Sequence, residues 1–329
     1  MAVLVVVMVI SSIISPISTK TAFSTIQKIV PIYFCTLIAM LFFYQERFLS
    51  KNGKNIILVL LLIVLAIQLG TGIAQIFFQY SFKYGILGSF ETGLTGITTN
   101  RNIFGFYMAL GAVLTLMFFI KTQGGKRIKV FYLTLLALFF IGLLFSYSRT
   151  SWVFVFVFVT SYMVIFFNKL QKKDIILFVF ILTLFILPIL LFNSLGDRFA
   201  TILDGDGSGR LEIWQNTIKM IADRLLLGYG VNTFYLEAWQ VSFPHNFMLD
   251  ILYSVGICGF IVSGCLLYLT FKEIINTNMF YLPLFLAFFV ALQFDHDITS
   301  RRVLASLMLF AFFVFSNRLD KKYQKPNLP

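Results

Sequence analysis

Charge is what this sequence has least of. Asp, Glu, Lys and Arg together make up 12% of its 329 residues, about half the share of an ordinary soluble domain, and that scarcity excludes a water-soluble globular fold. Cysteine is scarce too. Cys35, Cys258 and Cys265 stand inside apolar stretches, with neither metal-ligand spacing nor the even count of a disulfide framework, so they read as packing residues. There are two histidines. No phosphate-binding glycine loop, dinucleotide fingerprint, internal repeat or low-complexity tract occurs.

Hydrophobic residues are plentiful, at 59% of the chain. They fall into continuous runs at 1–14, 29–44, 56–79, 102–120, 130–147, 151–167, 175–193, 247–270, 279–294 and 303–316. Continuous runs without alternation exclude a transmembrane β-barrel. The expectation is an all-α, polytopic helical bundle forming one transmembrane domain over 1–329, with about ten spans of roughly 20 residues each. The first run has only 14 residues, reaching about 21 Å at 1.5 Å per residue, short of the roughly 30 Å of a full crossing. It lacks the basic flank of a signal peptide and is read as a retained segment.

The net charge of +12 would suggest nucleic acid in a soluble protein. Here the charges sit between the apolar runs. The connections 45–55, 121–129, 168–174, 271–278 and the tail from Asn317 carry fifteen basic residues. The alternate set, 15–28, 80–101, 148–150, 194–246 and 295–302, spreads eleven over about twice the length and holds nine of the fourteen acids. Short cytoplasmic connections retain Lys and Arg. Both termini are therefore expected in the cytoplasm, and 194–246 is expected to be a large extracytoplasmic loop. Within it Leu211, Trp214, Ile218, Ile221 and Leu225 recur every three or four residues opposite Glu212, Gln215, Asn216, Lys219 and Asp223. This pattern predicts an amphipathic helix capped by Ser208, stopped by Gly228 and lying along the membrane surface.

Ionisable groups near membrane depth are costly and point to function. Arg149 lies in the hydroxyl-rich hairpin Ser146-Tyr147-Ser148-Arg149-Thr150-Ser151. Its planar fork suits phosphate, although a snorkelling arginine at a helix end fits the same pattern. Arg210 follows a Gly/Asp-rich stretch and opens the amphipathic helix, an arrangement suited to an anion. Asp204, Asp206, Ser208 and Gly209 match four positions of a calcium loop, but Gln215 stands where its bidentate Glu belongs, which counts against calcium.

Asn246, Asp250 and Tyr253 form a polar stripe at i, i+4 and i+7 behind Pro244 and His245. It should face the bundle interior. His245 is read as a group able to exchange a proton near neutral pH, and Asp250 as a structural ion-pair partner. Asn100-Arg101-Asn102, Arg224 and Asp295-His296-Asp297 complete the external polar set. All of this chemistry lies on one expected side, where nucleotides are absent, so an activated substrate must bring its own energy. A lipid-linked diphosphate is the natural form. No dense Asp/Glu set is present to hold Mg²⁺, leaving arginines to stabilise a departing diphosphate. A transporter would instead carry midplane charges and broken helices in two corresponding halves.

The order of Asn100-Arg101-Asn102, Ser148-Arg149-Thr150, Gly209-Arg210-Leu211-Glu212-Ile213-Trp214, Gly228-Tyr229-Gly230-Val231-Asn232 and Pro244-His245-Asn246 resembles the O-antigen ligase and polysaccharide polymerase superfamily over roughly 95–300. That resemblance implies a metal-independent, membrane-embedded glycosyltransferase of GT-C-like type without cofactor. It would act on undecaprenyl-diphosphate-linked oligosaccharide at the outer face of the bacterial cytoplasmic membrane. Its partners would be that donor, membrane lipid and other polysaccharide-assembly proteins, with no nucleic acid. By analogy Arg149 and Arg210 match the arginines assigned to the diphosphate, and His245 matches the active-site histidine. Asn100, Arg101, Asn102, Ser148, Asn246, Asp250, Arg224 and His296 are grouped with them as substrate-contacting candidates. About ten spans are fewer than the twelve or so of many relatives. A polymerase of repeat units needs only one kind of substrate and is the preferred reading. A ligase acting on a lipid or cell-wall acceptor is the alternative, and a flippase the competing class.

Overall fold

A computed structural model describes residues 2–16, 51–78, 80–81, 85–86, 93–98, 100–122, 124–191, 209–235, 241 and 243–295. The apolar runs become helices: α1 (Ala2–Ile13), α2 (Lys51–Phe78), α3 (Arg101–Lys121), α4 (Lys126–Ser146), α5 (Arg149–Phe166), α6 (Lys172–Leu191), α8 (Phe247–Thr277) and α9 (Leu282–Asp295). The amphipathic helix is α7 (Arg210–Asp223). A two-residue ladder pairs Tyr80 with Ile86 and Ser81 with Gly85. Five helical stretches are long and apolar enough to cross a bilayer: Leu61–Phe78, Arg101–Lys121, Lys126–Ser146, Arg149–Lys169 and Phe247–Asn276. The chain is an all-helical, multi-pass membrane protein. The runs expected at 29–44 and 303–316 lie outside the described residues.

The chain divides into two compact units. One comprises α2 to α6 with Leu286–Ala291 of α9. Its centre is α3, where Phe104, Met108, Ala109, Ala112 and Val113 are shut off from solvent. A Cβ at Gly111 would run into the Phe139 ring of α4, so a small residue lets the two helices approach closely. Phe154 of α5 meets Phe288 edge-on, with ring centroids 4.9 Å apart, and Phe106 lies 5.6 Å from Phe154.

The other unit contains α1, α7, α8 and both ends of α9, its first four residues and those from Leu292. Leu4 and Met8 of α1 pack with Val231, Phe247, Ile251, Val255 and Leu292. The sequence pattern of α7 needs correction in three respects. Its N-cap is Gly209, at φ 64°, rather than Ser208, and it ends at Asp223, five residues before the expected stop. Its buried line is Ile213, Thr217 and Ile221, packed with Phe234 and Tyr253, while Leu211 and Ile218 of the expected stripe are each 56% exposed. Two apolar lines run along this helix, and the position of α8 decides which is covered.

Helix α8 is continuous in sequence but not in backbone. Gly256 takes φ 64° and ψ −166°, a region essentially closed to residues with a side chain. The two helical bonds that would cross the break are replaced by four to the segment 225–230. Tyr229 and Gly230 donate to the carbonyls of Tyr253 and Ser254 at 2.8 and 2.9 Å. Ile257 and Cys258 donate to those of Leu225 and Leu226 at 2.8 and 3.4 Å. The segment after the break, 257–276, reaches about 30 Å by itself, enough to cross the hydrocarbon. The expected span 247–270 corresponds to the apolar stretch Phe247–Asn276, and Asp250 sits in the first turn of the short helix that precedes the break.

Replacing Gly256 by Ala forces an L-residue into that region and presses its Cβ against the Leu226 carbonyl. A loss of about 3 kcal/mol is expected, read as a lower thermal midpoint in detergent. Gly264→Ala has nothing within 4 Å of the new Cβ and should change stability by no more than about 1 kcal/mol, in the stabilising direction.

Candidate active site

In the unit built on α3, the polar residues gather where α3 and α5 begin. Helix α4 ends at Ser146, and Tyr147 turns the chain in the left-handed conformation, φ 51°. Helix α5 starts at Arg149, so the hairpin expected at 146–151 forms. Three of its five hydroxyls are engaged within the turn itself. Ser146 Oγ donates to the Leu143 carbonyl at 2.6 Å and accepts the Ser148 N–H at 3.2 Å, and the Ser148 and Ser151 hydroxyls lie 2.7 Å apart. All three serines are buried, while Arg149 is half-exposed.

The first turn of α3 is the neighbour of this hairpin. A Cβ at Gly105 would lie 2.6 Å from Ser148 Cβ and 2.9 Å from Ser151 Oγ. Asn100 caps α3, its side-chain carbonyl accepting the Asn102 N–H at 2.7 Å. Two helix N-termini therefore stand side by side, each opened by an arginine, Arg101 and Arg149. The partial positive charge of a helix start makes a cation there unfavourable and an anion favourable. Arg210 opens α7 in the other unit in the same way. By contrast, lysines open α2, α4 and α6, namely Lys51, Lys126 and Lys172. Three helices that start on the side expected to be extracytoplasmic, α3, α5 and α7, begin with Arg, the residue whose planar fork grips phosphate, whereas α8, starting on that same side, begins with Phe247 behind the Asn246 cap.

Two glutamines fix the approach to α3. Gln75 of α2 is buried, and its carbonyl accepts the N–H groups of Thr95 and Gly96, both at 3.0 Å. Its amide donates to Thr95 Oγ1 and the Gly96 carbonyl, both at 3.1 Å. One turn pair earlier, Gln68 Oε1 accepts the Ile97 N–H at 3.1 Å. These residues were missed as candidates. Their signal was available, since they are seven apart in an apolar run and share one helical face.

In the unit of α7 and α8, the Pro-His-Asn turn is held from both sides. Trp214 Nε1, one turn after Arg210, donates to the Pro244 carbonyl at 3.0 Å. Asn246 caps α8, its side-chain carbonyl accepting the Leu249 N–H at 3.0 Å. Between them His245 adopts φ 54°, an uncommon backbone for a non-glycine residue and one found at functional sites. Its ring lies 4.2 Å from that of Phe243, tilted by 51°. Asp250, one turn into α8, is 4% exposed, with Ser254 Oγ at 3.5 Å from its carboxylate. Tyr253 is wholly buried, stacked on Tyr229 at 4.9 Å, so the stripe from Asn246 does turn inward.

The structure thus brings Asn100, Arg101, Asn102, Ser148 and Arg149 into one polar end of one unit. Arg210, His245, Asn246 and Asp250 fall in the other, tied by the Trp214–Pro244 bond. Arg224 is engaged elsewhere, donating to the Ile14 carbonyl at 3.4 Å with its guanidinium 5.6 Å over the Tyr229 ring. His296 and Asp204 to Ser208 lie outside the described residues. Among the described residues, no three His, Cys, Asp or Glu side chains gather as a metal-holding set.

Comparison with known proteins points the same way. Residues 134–264 match the O-antigen ligase family, a range that includes Arg149, Arg210 and His245. The chain is also 25% identical over 262 residues to the ComP-specific O-oligosaccharyltransferase of Acinetobacter baylyi, an alignment covering 73% of this chain. The chain spans under half of that relative's length, 45%. The resemblance to the O-antigen ligase superfamily read from the motifs is thereby supported by two independent comparisons.

Gln75→Leu leaves the buried Thr95 and Gly96 N–H groups without their acceptor. A destabilisation of about 2–5 kcal/mol is expected, together with faster hydrogen exchange at those two amides. Exchange that matches the wild type would mean the loop is held by other contacts.

Proposed function

We propose that this chain, whose residues 134–264 carry the O-antigen ligase family segment, is a membrane-embedded glycosyltransferase that transfers a lipid-linked oligosaccharide at the outer face of the bacterial cytoplasmic membrane. The observation that carries this reading is the placement of Arg149 and Arg210 at helix N-termini and of His245 in a strained, doubly anchored turn, all three inside the matched segment. The donor is an undecaprenyl-diphosphate-linked glycan, and both chain termini are cytoplasmic. Arginines serve in place of a metal, and other polysaccharide-assembly proteins are the expected partners.

In the proposed step the bond between the anomeric carbon and the diphosphate oxygen breaks. Its electron pair leaves on undecaprenyl diphosphate, where Arg149 and Arg210 stabilise the added charge. The acceptor hydroxyl oxygen forms the new bond to the anomeric carbon and gives its proton to His245. The family match and the name of the relative both favour ligase-type transfer to an acceptor other than the lipid carrier. Polymerisation of repeat units is the second reading, favoured by its need for a single kind of substrate. A flippase would need paired broken helices. Gly256 breaks one, and its backbone groups are used by the segment 225–230.

His245→Ala should lower glycan transfer at least about a hundredfold, with expression and donor binding retained, as measured on purified protein with lipid-linked oligosaccharide extracted from the source membranes. Full activity of that variant would remove the base assignment. Surface glycan in a deletion strain separates the two acceptor readings. Long chains accumulating on the lipid carrier indicate a ligase, and loss of long chains on the carrier indicates a polymerase.

A further inference from the structure

The only polar side chains described on α1 and the turn after it, Ser11, Ser12 and Ser15, are all buried. In an otherwise apolar helix each needs a partner, and all three find it on one segment, 227–231, and the helix break beside it. Ser11 Oγ is within reach of the carbonyls of Leu227 and Ser254, the latter at 2.6 Å, and donates its single proton to one or the other. Ser12 Oγ accepts the Val231 N–H at 3.1 Å. Ser15 Oγ donates to the Tyr229 carbonyl. Gly230 fits between Ser12 and Ser15, where a Cβ would meet Ser15 Cβ at 3.1 Å and Ser12 Cα at 3.2 Å. The backbone of 227–231 is thus clasped between α1 on one side and the break in α8 on the other.

What this segment touches is the frame of the Pro-His-Asn turn. Tyr229 stacks on Tyr253, and the Thr233 carbonyl accepts the Tyr253 hydroxyl at 3.4 Å. Tyr253 packs with Ile213 and Ile221 of α7, and Trp214 and Leu249 lie against the same cluster. Trp214 holds the Pro244 carbonyl. A chain of direct contacts therefore runs from the α1 hydroxyls through 227–231 and Tyr253 to Trp214, Pro244 and His245.

We propose that Ser11, Ser12 and Ser15 are positioning residues for glycan transfer: the first helix acts as a hydrogen-bonding clamp that sets the placement of the His245 turn, beyond any role in anchoring the chain to the membrane. This rests on the transfer reading above. A misplacement of about 1 Å can cost on the order of a hundredfold in rate while leaving substrate binding nearly intact.

Thr and Val differ here only by the hydroxyl, so the test compares Ser12→Thr with Ser12→Val, and Ser15→Thr with Ser15→Val, in the full-length protein. Transfer of undecaprenyl-diphosphate-linked oligosaccharide extracted from the source membranes is followed as kcat and KM. Hydrogen exchange is read over 227–231 and 243–250. The Val variants should lose about tenfold or more in kcat with donor KM within about threefold, and should exchange faster over both stretches. The Thr variants should recover both properties. Equal kcat for folded Thr and Val variants overturns the proposal, as does faster exchange at 227–231 with none at 243–250. If the Val variants do not fold, Ser11→Ala, which leaves the Gly230 N–H to satisfy Ser254, is read against the same two criteria. A wild-type protein that transfers nothing overturns the transfer reading alone. The exchange contrast between Thr and Val still decides whether the clamp reaches the His245 turn.

Discussion

A broken helix inside a membrane protein must find other partners for its backbone. At Gly256 the amides of Ile257 and Cys258 and the carbonyls of Tyr253 and Ser254 lose each other, and each such group left unpaired in an apolar setting costs several kcal/mol. The segment 225–230 supplies all four replacements. Its own conformation is then dictated. Gly228 must be a glycine, because at φ 69° a Cβ would meet the Tyr253 carbonyl at 2.5 Å. Tyr229 is delivered onto Tyr253, and Gly230 is delivered to the serines of α1. Backbone exchange with the broken helix thus gives the Gly-Tyr-Gly motif a structural role.

The same constraint shapes the surroundings of the candidate chemistry. With the break at Gly256, the twenty residues after it are long enough to cross a bilayer by themselves, and Asp250 belongs to the short helix before the break, behind its Asn246 cap. A buried carboxylate is easier to hold in this setting, since Asp250 lies in the first turn of a helix, where the backbone dipoles favour negative charge, with a serine hydroxyl beside it. His245 owes its unusual backbone to being pinned on both sides, by the Trp214 bond at Pro244 and by the Asn246 cap.

Much of this was legible in the residues. The hairpin at Ser146–Ser151 follows from two long apolar runs with room for only a turn between them, and α3, α4, α5 and α6 begin and end within a few residues of the runs that announce them. The arginines at 149 and 210 stand out because charge is so rare. Asn100 and Asn246, expected as substrate contacts, each cap a helix with the side chain, a role that Asn before an apolar run routinely fills. The serines of α1 and the glutamines of α2 carry a weaker signal: isolated polar residues at helical spacing in an apolar run need partners. Periodicity shows that they share a face and not which segment that face meets.

Composition and spacing alone determined that this is a helical membrane protein, where its long helices lie, and that its rare arginines and both histidines fall at the ends of apolar runs or between them. Those features are local: they follow from apolar run length and from the cost of charge in lipid. The tertiary structure decided which of two apolar lines on α7 is covered, that α8 breaks, and that α1 grips the segment beside the break. Each depends on a partner more than ten residues away in the chain, and no local preference encodes the backbone bonds that such a partner supplies.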